Sequence, residues 1–467
     1  MLNRMLASAL LAVAVTLATD VLPAMAQATA APAYDVPVTY YTLPNGLKVV
    51  LSRDATAPTV VVAVYYKIGF RVEPQDRTGF AHLFEHMMFQ GSANLGKMEF
   101  IRLVQRNGGV LNGSTRFDFT NYFEVLPAHK LETALWAEAD RMRGLDITQE
   151  NLTNQQGVVM NEVKVNVLNQ PYGGFPWLDL PQHANTNWHN AHNFYGDLKD
   201  LEAATLADVQ DFFKTYYTPA NAVLVVVGDF DEAGAKAMIE KYFAGISGPK
   251  PQPLPDITEP RQAEQKRASR KDALATKPAL GFAYHMPARN TPEYYAMGLI
   301  DQLLLQGEDS LLHQELVKKK AYAGEVGGGI NLLGNMFNYD GPMLWIGSLI
   351  HEPTHTPDEI LGTMDATIAR LQDAPVDKAA LDRALVKLRS SLYDSLTTLN
   401  GFGAADLLAS FALFDDDPAR INTLEAQFRK VTPELIRKTA QEYLRPTNRT
   451  VLVIEPGQAA APAAAQE

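Results

Sequence analysis

The chain has 467 residues, 41 Lys+Arg against 53 Asp+Glu, a formal charge of −12 and no Cys. At 46% hydrophobic and 20% charged it is too apolar for a disordered chain and too evenly composed for collagen or a coiled coil. The acidic balance argues against nucleic-acid binding. The lack of Cys removes disulfides, thiolate zinc sites and thiol nucleophiles, so any metal centre must be built from His, Asp and Glu.

Residues 1–26 read as a secretory signal peptide. Arg4 gives a short positive start, Met5 to Ala18 is apolar, and Ala24-Met25-Ala26 fits a small-x-small cleavage site. Asp20 and Pro23 count against a continuing membrane span. The mature chain is expected to start near Gln27, and no later segment offers about 18 uncharged apolar residues, so no span is expected in it.

Tyr40 to Ser52 reads as extended chain broken by a tight turn at Leu43-Pro-Asn-Gly-Leu47, and Thr59 to Ile68 as the next strand. Gly79 to Gln90 is predicted helical and contains His82-x-x-Glu85-His86. His82 and His86, at i and i+4, place two imidazoles side by side, a spacing that grips a divalent metal. Glu85 lies on the same face and can reach water on the metal without ligating it, as a general base must. Phe84, Met87, Met88 and Phe89 make this helix largely buried, so an unemployed His-Glu-His set there would be costly.

Met98 to Asn107 is predicted helical. The stretch Gly108 to Thr115 precedes Arg116 to Val125, which reads as a strand, with Tyr122 to Leu126 its clearest part. Asn112-Gly113 is also a common turn pair. Leu131 to Gly144 is helical, with Leu131, Ala134, Leu135 and Met142 on one face and Glu138 interrupting it. A catalytic zinc needs a third protein ligand, and the inverted motif H-x-x-E-H draws it from far downstream. Glu162, 76 residues after His86 and following an apolar run, is the candidate. His183, His189 and His192 are spaced by six and three, which fits no tight metal motif, and they read as cleft or surface residues.

From Gly248 to Leu280 Pro249, Pro251, Pro253, Pro255 and Pro260 mark an extended linker. It divides a half at 35–247 from a half at 281–457, and 458–467 reads as a disordered tail. The halves look like repeats. At an offset of 227, Thr205 meets Thr432, Tyr216 meets Tyr443, Pro219 meets Pro446 and Asn221 meets Asn448, each copy being a helix, a Pro-Asn turn and a buried strand. Alternating strands and helices predict an α+β chain of two α/β sandwich halves. Aligning Phe89-Gln90-Gly91 with Leu305-Gln306-Gly307 puts Gly298, Asp301 and Gln302 where His82, Glu85 and His86 stand, so the second half is expected to be inert toward metal.

These residues together resemble the inverted-zincin superfamily of pitrilysin, insulysin and the mitochondrial processing peptidase, especially its bacterial two-domain branch. The likeness rests on H-x-x-E-H and Glu162, on Thr78-Gly-Phe-Ala-His and Phe89-Gln-Gly-Ser around the motif, and on Asn169-Gln-Pro-Tyr-Gly after the third ligand. It covers about Val38 to Glu455. It implies two halves facing each other as a clam shell. It also implies one zinc per chain on His82, His86 and Glu162, with Glu85 activating water in endopeptidase action on peptides or unfolded segments in the periplasm. The alternative function is a non-proteolytic assembly subunit; a metal-storage module would make Glu85 superfluous. By the same resemblance an edge strand near Asn112, Ser114 and Thr115 pairs with substrate. Gln155 stands where the family often has a second Glu supporting the ligands. Relatives often carry an Arg and, seven residues later, a Tyr that bind the substrate carbonyl. Val317 and Gly324 stand there, unless a shifted register brings in Lys318 or Tyr322. A paralogous subunit supplying Arg and Tyr is therefore expected, as a heterodimer, or otherwise a homodimer.

Overall fold

The computed structural model describes residues 35–457. The expected signal peptide at 1–26, its expected cleavage site and the tail expected at 458–467 lie outside the described residues. The first half forms a six-stranded sheet from β1 (Thr39–Thr42), β2 (Lys48–Arg53), β3 (Thr59–Tyr66), β4 (Val110–Thr115), β5 (Thr120–Pro127) and β6 (Ala222–Gly228), in the order β1-β2-β6-β3-β5-β4. The second half forms a five-stranded sheet from β7 (Lys266–Asp272), β8 (Ala279–His285), β9 (Gly327–Ile330), β10 (Leu344–Ile350) and β11 (Arg449–Pro456), in the order β7-β11-β8-β10-β9. The two orders superpose if β2, β6, β3, β5 and β4 correspond to β7, β11, β8, β10 and β9. In each, the first pair is parallel (β2 with β6, β7 with β11) and the later pairs are antiparallel. The fold is thus α+β with two related halves, as the alternation of elements predicts.

The repeated segment recurs in both halves with the same cap and closing bond. Thr205 and Thr432 each cap a helix, Leu206–Tyr216 and Pro433–Tyr443. The Asn221 amide donates to the Tyr216 carbonyl at 2.9 Å, and the Asn448 amide to the Tyr443 carbonyl at 2.7 Å. Each Asn closes the helix end and starts the buried strand, β6 or β11.

The strand β3, TVVVAVYY, is buried from Val60 to Tyr66 without alternation. A strand reads so when both sheet faces are covered. One face packs on helices of its own half, with Val62, Val64 and Tyr66 against Leu83, Phe84 and Leu135 in one core. The other carries Val61, Ala63 and Tyr65 into a core shared with the second half, including its helix Phe402–Phe414. Phe123 of β5 stacks on Phe402 at 3.7 Å between centroids.

Two expectations need correction. The linker is irregular only to Gln265, because Lys266–Asp272 pairs in parallel with β11 as strand β7. The strand expected over Arg116–Val125 starts at Thr120, and Arg116–Phe119 is a hairpin turn closed by the Arg116 N–H donating to the Phe119 carbonyl. Asp118 at that turn is held by the buried Arg71 guanidinium at 2.9 Å and by the Asp340 N–H at 2.7 Å, long-range contacts that local propensity does not register. Asn112-Gly113 is the middle of β4, an edge strand pairing with β5, as the resemblance implies and the competing turn reading does not.

Candidate metal centre

The H-x-x-E-H motif lies on the helix Phe80–Met87. Gly79 starts it at φ +83°, and a Cβ there would meet the Tyr195 carbonyl oxygen at 2.6 Å, so only glycine fits both demands. Phe80, Leu83, Phe84 and Met87 are buried in the first-half core, which fixes the opposite face toward β4 and Glu162. The third residue comes from the helix Gln149–Val163, capped by the Thr148 hydroxyl accepting from the Asn151 N–H. Glu162 sits near its end with its side chain 30% exposed.

Here the three residues converge. His82 Nε2 is 3.6 Å from Glu162 Oε1, and His86 Nε2 is 3.2 Å from Glu162 Oε2. The two imidazoles stand edge to face, with centroids 4.9 Å apart. One ligand atom from each of the three residues lies within 4.8 Å of the others. Tetrahedral ligands about 2.0–2.1 Å from a zinc would be separated by about 3.3–3.4 Å, so the observed spacings fit a zinc held by this set. No other such group occurs among the described residues.

The electrostatics suit the same task. Burial, and then the neighbouring His86, push the His82 imidazole down to about 4, so it is neutral with its lone pair free at neutral pH. His86 hydrogen-bonding lowers the Glu162 carboxyl, which stays ionised. Burial raises the Glu85 carboxyl, opposed by the Thr115 hydroxyl and the charges of His86 and Arg116. A carboxylate with a raised pKa beside a ligand set is suited to take up a proton.

Other predicted residues fall in different places. Asn112 is exposed on β4, its side-chain oxygen accepting from the Gly113 N–H. Ser114 donates across the hairpin to Asn121 at 2.5 Å. Thr115 is buried beneath the motif helix, its hydroxyl 3.3 Å from the Ala81 carbonyl. Gln155 is buried and donates to Asn154, making no hydrogen bond to the ligands. His183 is exposed; His189 bonds the Arg71 carbonyl; His192 stacks on Trp188 and approaches Glu73. None of the three joins the metal group. Val317 packs against the shared core, Gly324 is exposed, and Tyr322 is buried with its hydroxyl on Thr363 at 3.2 Å. Lys318 pairs with Glu308 at 3.3 Å. In the second half Asp301 is buried and accepts from Trp345 Nε1 at 2.7 Å.

The aromatic side of the site has no signature in the sequence. Tyr195 meets the His82 ring at 5.1 Å and Trp177 at 5.9 Å. Burial, and then the charges of Glu162 and Glu85, push its phenol up to about 12. Neither residue stands in a periodic pattern, so no local signal points to it.

Residues 48–172 match the family profile described as Insulinase (Peptidase family M16), and residues 203–388 the profile described as Peptidase M16 inactive domain. The zinc protease PqqE of Helicobacter pylori is 28% identical over 424 residues, covering 89% of this chain and 92% of that relative. A solved protease from Helicobacter pylori superposes with a TM-score of 0.83 at 26% identity, covering 90% of this chain and all of that one. The periplasmic protease PqqL from Escherichia coli shares the fold at a TM-score of 0.73 and 17% identity, covering 92% of this chain and 50% of that chain.

Proposed function

The chain belongs to the insulinase family of peptidases, and on that premise we propose that it is a zinc-dependent endopeptidase acting on peptides or unfolded segments. The convergence of His82, His86 and Glu162 beside Glu85 carries the reading. A bound zinc supplies Lewis acidity toward a carbonyl oxygen and lowers the pKa of a water to about 7. His82, His86 and Glu162 would hold it, through two imidazoles and one carboxylate. Glu85, outside the ligand set, takes the proton of the attacking water and returns it to the leaving amine. The free edge of β4 offers backbone groups to an extended peptide, a pairing that is indifferent to side chains.

An assembly subunit without proteolytic activity would not need a complete candidate ligand set with a half-buried acid beside it. Neither Val317 nor Gly324 has a side chain that can donate to a developing oxyanion, and Tyr322 is spent on Thr363. A paralogous subunit bearing Arg and Tyr is therefore part of the proposal. So is periplasmic location, supported by the pattern of residues 1–26 and the likeness to a periplasmic protease.

The test is a peptide-library digest with and without chelator, using wild type and Glu85→Gln. Zinc-dependent cleavage is expected to fall by at least about 10²-fold in the variant, with zinc content retained. Wild-type turnover in Glu85→Gln would remove Glu85 from the mechanism, and cleavage unaffected by chelator would refute the zinc reading. Adding the paralogue should raise the wild-type rate; an equal rate without it would refute the partner.

A further inference from the structure

We propose that Glu73 is a positioning residue of this site, fixing the rotational setting of the Phe80–Met87 helix with His192 behind it. The proposal rests on the peptidase reading of that helix.

The function of the helix depends on its azimuth. A slip of one residue turns it by about 100° and would carry both imidazoles away from Glu162. Yet its N-terminus has no cap of its own, because the first N–H groups of a helix lack intrahelical partners and Gly79 has no side chain to offer. Glu73 supplies the acceptors from outside. Its Oε2 accepts from the Gly79 N–H at 2.8 Å and its Oε1 from the Ala81 N–H at 2.6 Å. Two oxygens of one rigid group, bound to two amides on the first turn, resist rotation in a way that a single capping bond does not. Ala81 is the residue immediately before His82.

The clamp is itself held. Glu73 is completely buried, and its backbone N–H donates to the Phe70 carbonyl. His192 Nε2 lies 3.7 Å from Glu73 Oε2 and has no closer hydrogen-bond partner among the described residues. The imidazole cannot swing away. It stacks on Trp188 at 4.2 Å and 5°, meets the Phe70 ring at 5.0 Å, and its Nδ1 is 3.0 Å from the Trp188 carbonyl. The next turn of chain reaches the same helix end, where a Cβ on Gly196 (φ +73°) would lie 2.3 Å from the Gly79 nitrogen. Burying a carboxylate is costly, and a buried hydroxyl could have satisfied one amide more cheaply. The carboxylate adds a second bond and a negative charge at the positive end of the helix.

The experiment compares wild type, Glu73→Gln and His192→Gln. In Glu73→Gln the side-chain nitrogen faces an N–H donor, so one arm of the clamp is lost at nearly constant shape. Metal-free protein is examined by hydrogen exchange over residues 79–87. Metal-loaded protein is examined by zinc affinity against a chelator, by the visible spectrum of the cobalt form, and by kcat and KM. Glu73→Gln is expected to speed exchange in the segment, weaken zinc by about 10–100-fold, alter the cobalt spectrum and lower kcat similarly with KM within about twofold. His192→Gln should do the same to a smaller degree, and decides the matter if Glu73→Gln does not fold. Exchange, zinc affinity and cobalt spectrum at wild-type values would overturn the proposal, as would changes that only follow a fall in global melting temperature. A wild-type chain that binds no zinc refutes the peptidase reading instead, while exchange in the metal-free protein still decides the role of Glu73.

Discussion

Asp301 and Glu85 stand at aligned positions in the two halves, in different company. Glu85 has two histidines on its helix; Asp301 has Gly298 and Gln302, and spends its carboxylate on Trp345 Nε1 and Gln306 Nε2. Burial pushes Asp301 up to about 6 from 3.8, against the pull of those two hydrogen bonds. The folded pKa is the raised one, so the folded state binds more protons between the two values. Stability therefore falls as pH rises from about 4 to about 6, and the penalty is fully present above that, of order 3 kcal/mol for a shift of this size. Asp301→Asn keeps an acceptor for Trp345 and removes the charge. It is expected to raise the melting temperature at pH 8 but not at pH 4, measured by circular dichroism. An equal change at both values would show that the Asp301 charge is not what costs. Glu138, which interrupts the apolar face of Leu131–Arg143, is explained at the same scale. It is buried in a cluster with Arg141 and Glu124, the guanidinium lying 3.9 Å over Phe100.

Among the elements, the capped helix, Pro-Asn turn and strand recur at fixed offset because each step is local chemistry. Thr caps, Pro stops the helix, Asn ties its last carbonyl, and β-branched residues fill a covered strand. The two caps differ in one respect. Thr205 accepts from the Asp208 N–H, and Asp208 accepts in return from the Thr205 N–H at 2.9 Å; Thr432 makes only the bond from Leu435. Thr205→Ala should cost about 1–2 kcal/mol and Thr432→Ala about 1 kcal/mol or less in urea unfolding. The reverse order would show that the reciprocal bond contributes nothing. By contrast β4 carries Gly113 in a sequence, VLNGST, that reads locally as a turn, and only pairing with β5 makes it an edge strand.

In the whole molecule, the halves are joined by more than the linker. Arg71 of the first half binds Asp118 with both carboxylate oxygens and donates to the Pro342 carbonyl of the second half at 2.5 Å. Asp118 in turn accepts from Asp340 and Gly341. Both side chains are almost fully buried. Arg71→Met leaves Asp118 buried without its cation and should destabilise by about 3–5 kcal/mol, with Arg71→Met/Asp118→Asn recovering part of the loss. A single variant within about 0.5 kcal/mol of wild type in urea would show that the pair does not join the halves. Spacing and pattern alone carry the two halves, the repeated unit, the shared helix face of His82, Glu85 and His86, and Glu162 as the candidate third residue. Each of these is written in spacing along one helix, in a duplicated register or in a motif that the family shares. The folded chain alone reveals that Lys266–Asp272 is a strand, that Tyr322 is spent on Thr363, and that Glu73, His192, Tyr195 and Trp177 gather around the motif helix. The difference is one of range. A helical spacing or a cap is fixed by neighbours three or four residues away, whereas a buried carboxylate, a parallel strand or a ring against an imidazole depends on partners that only the folded chain brings within reach.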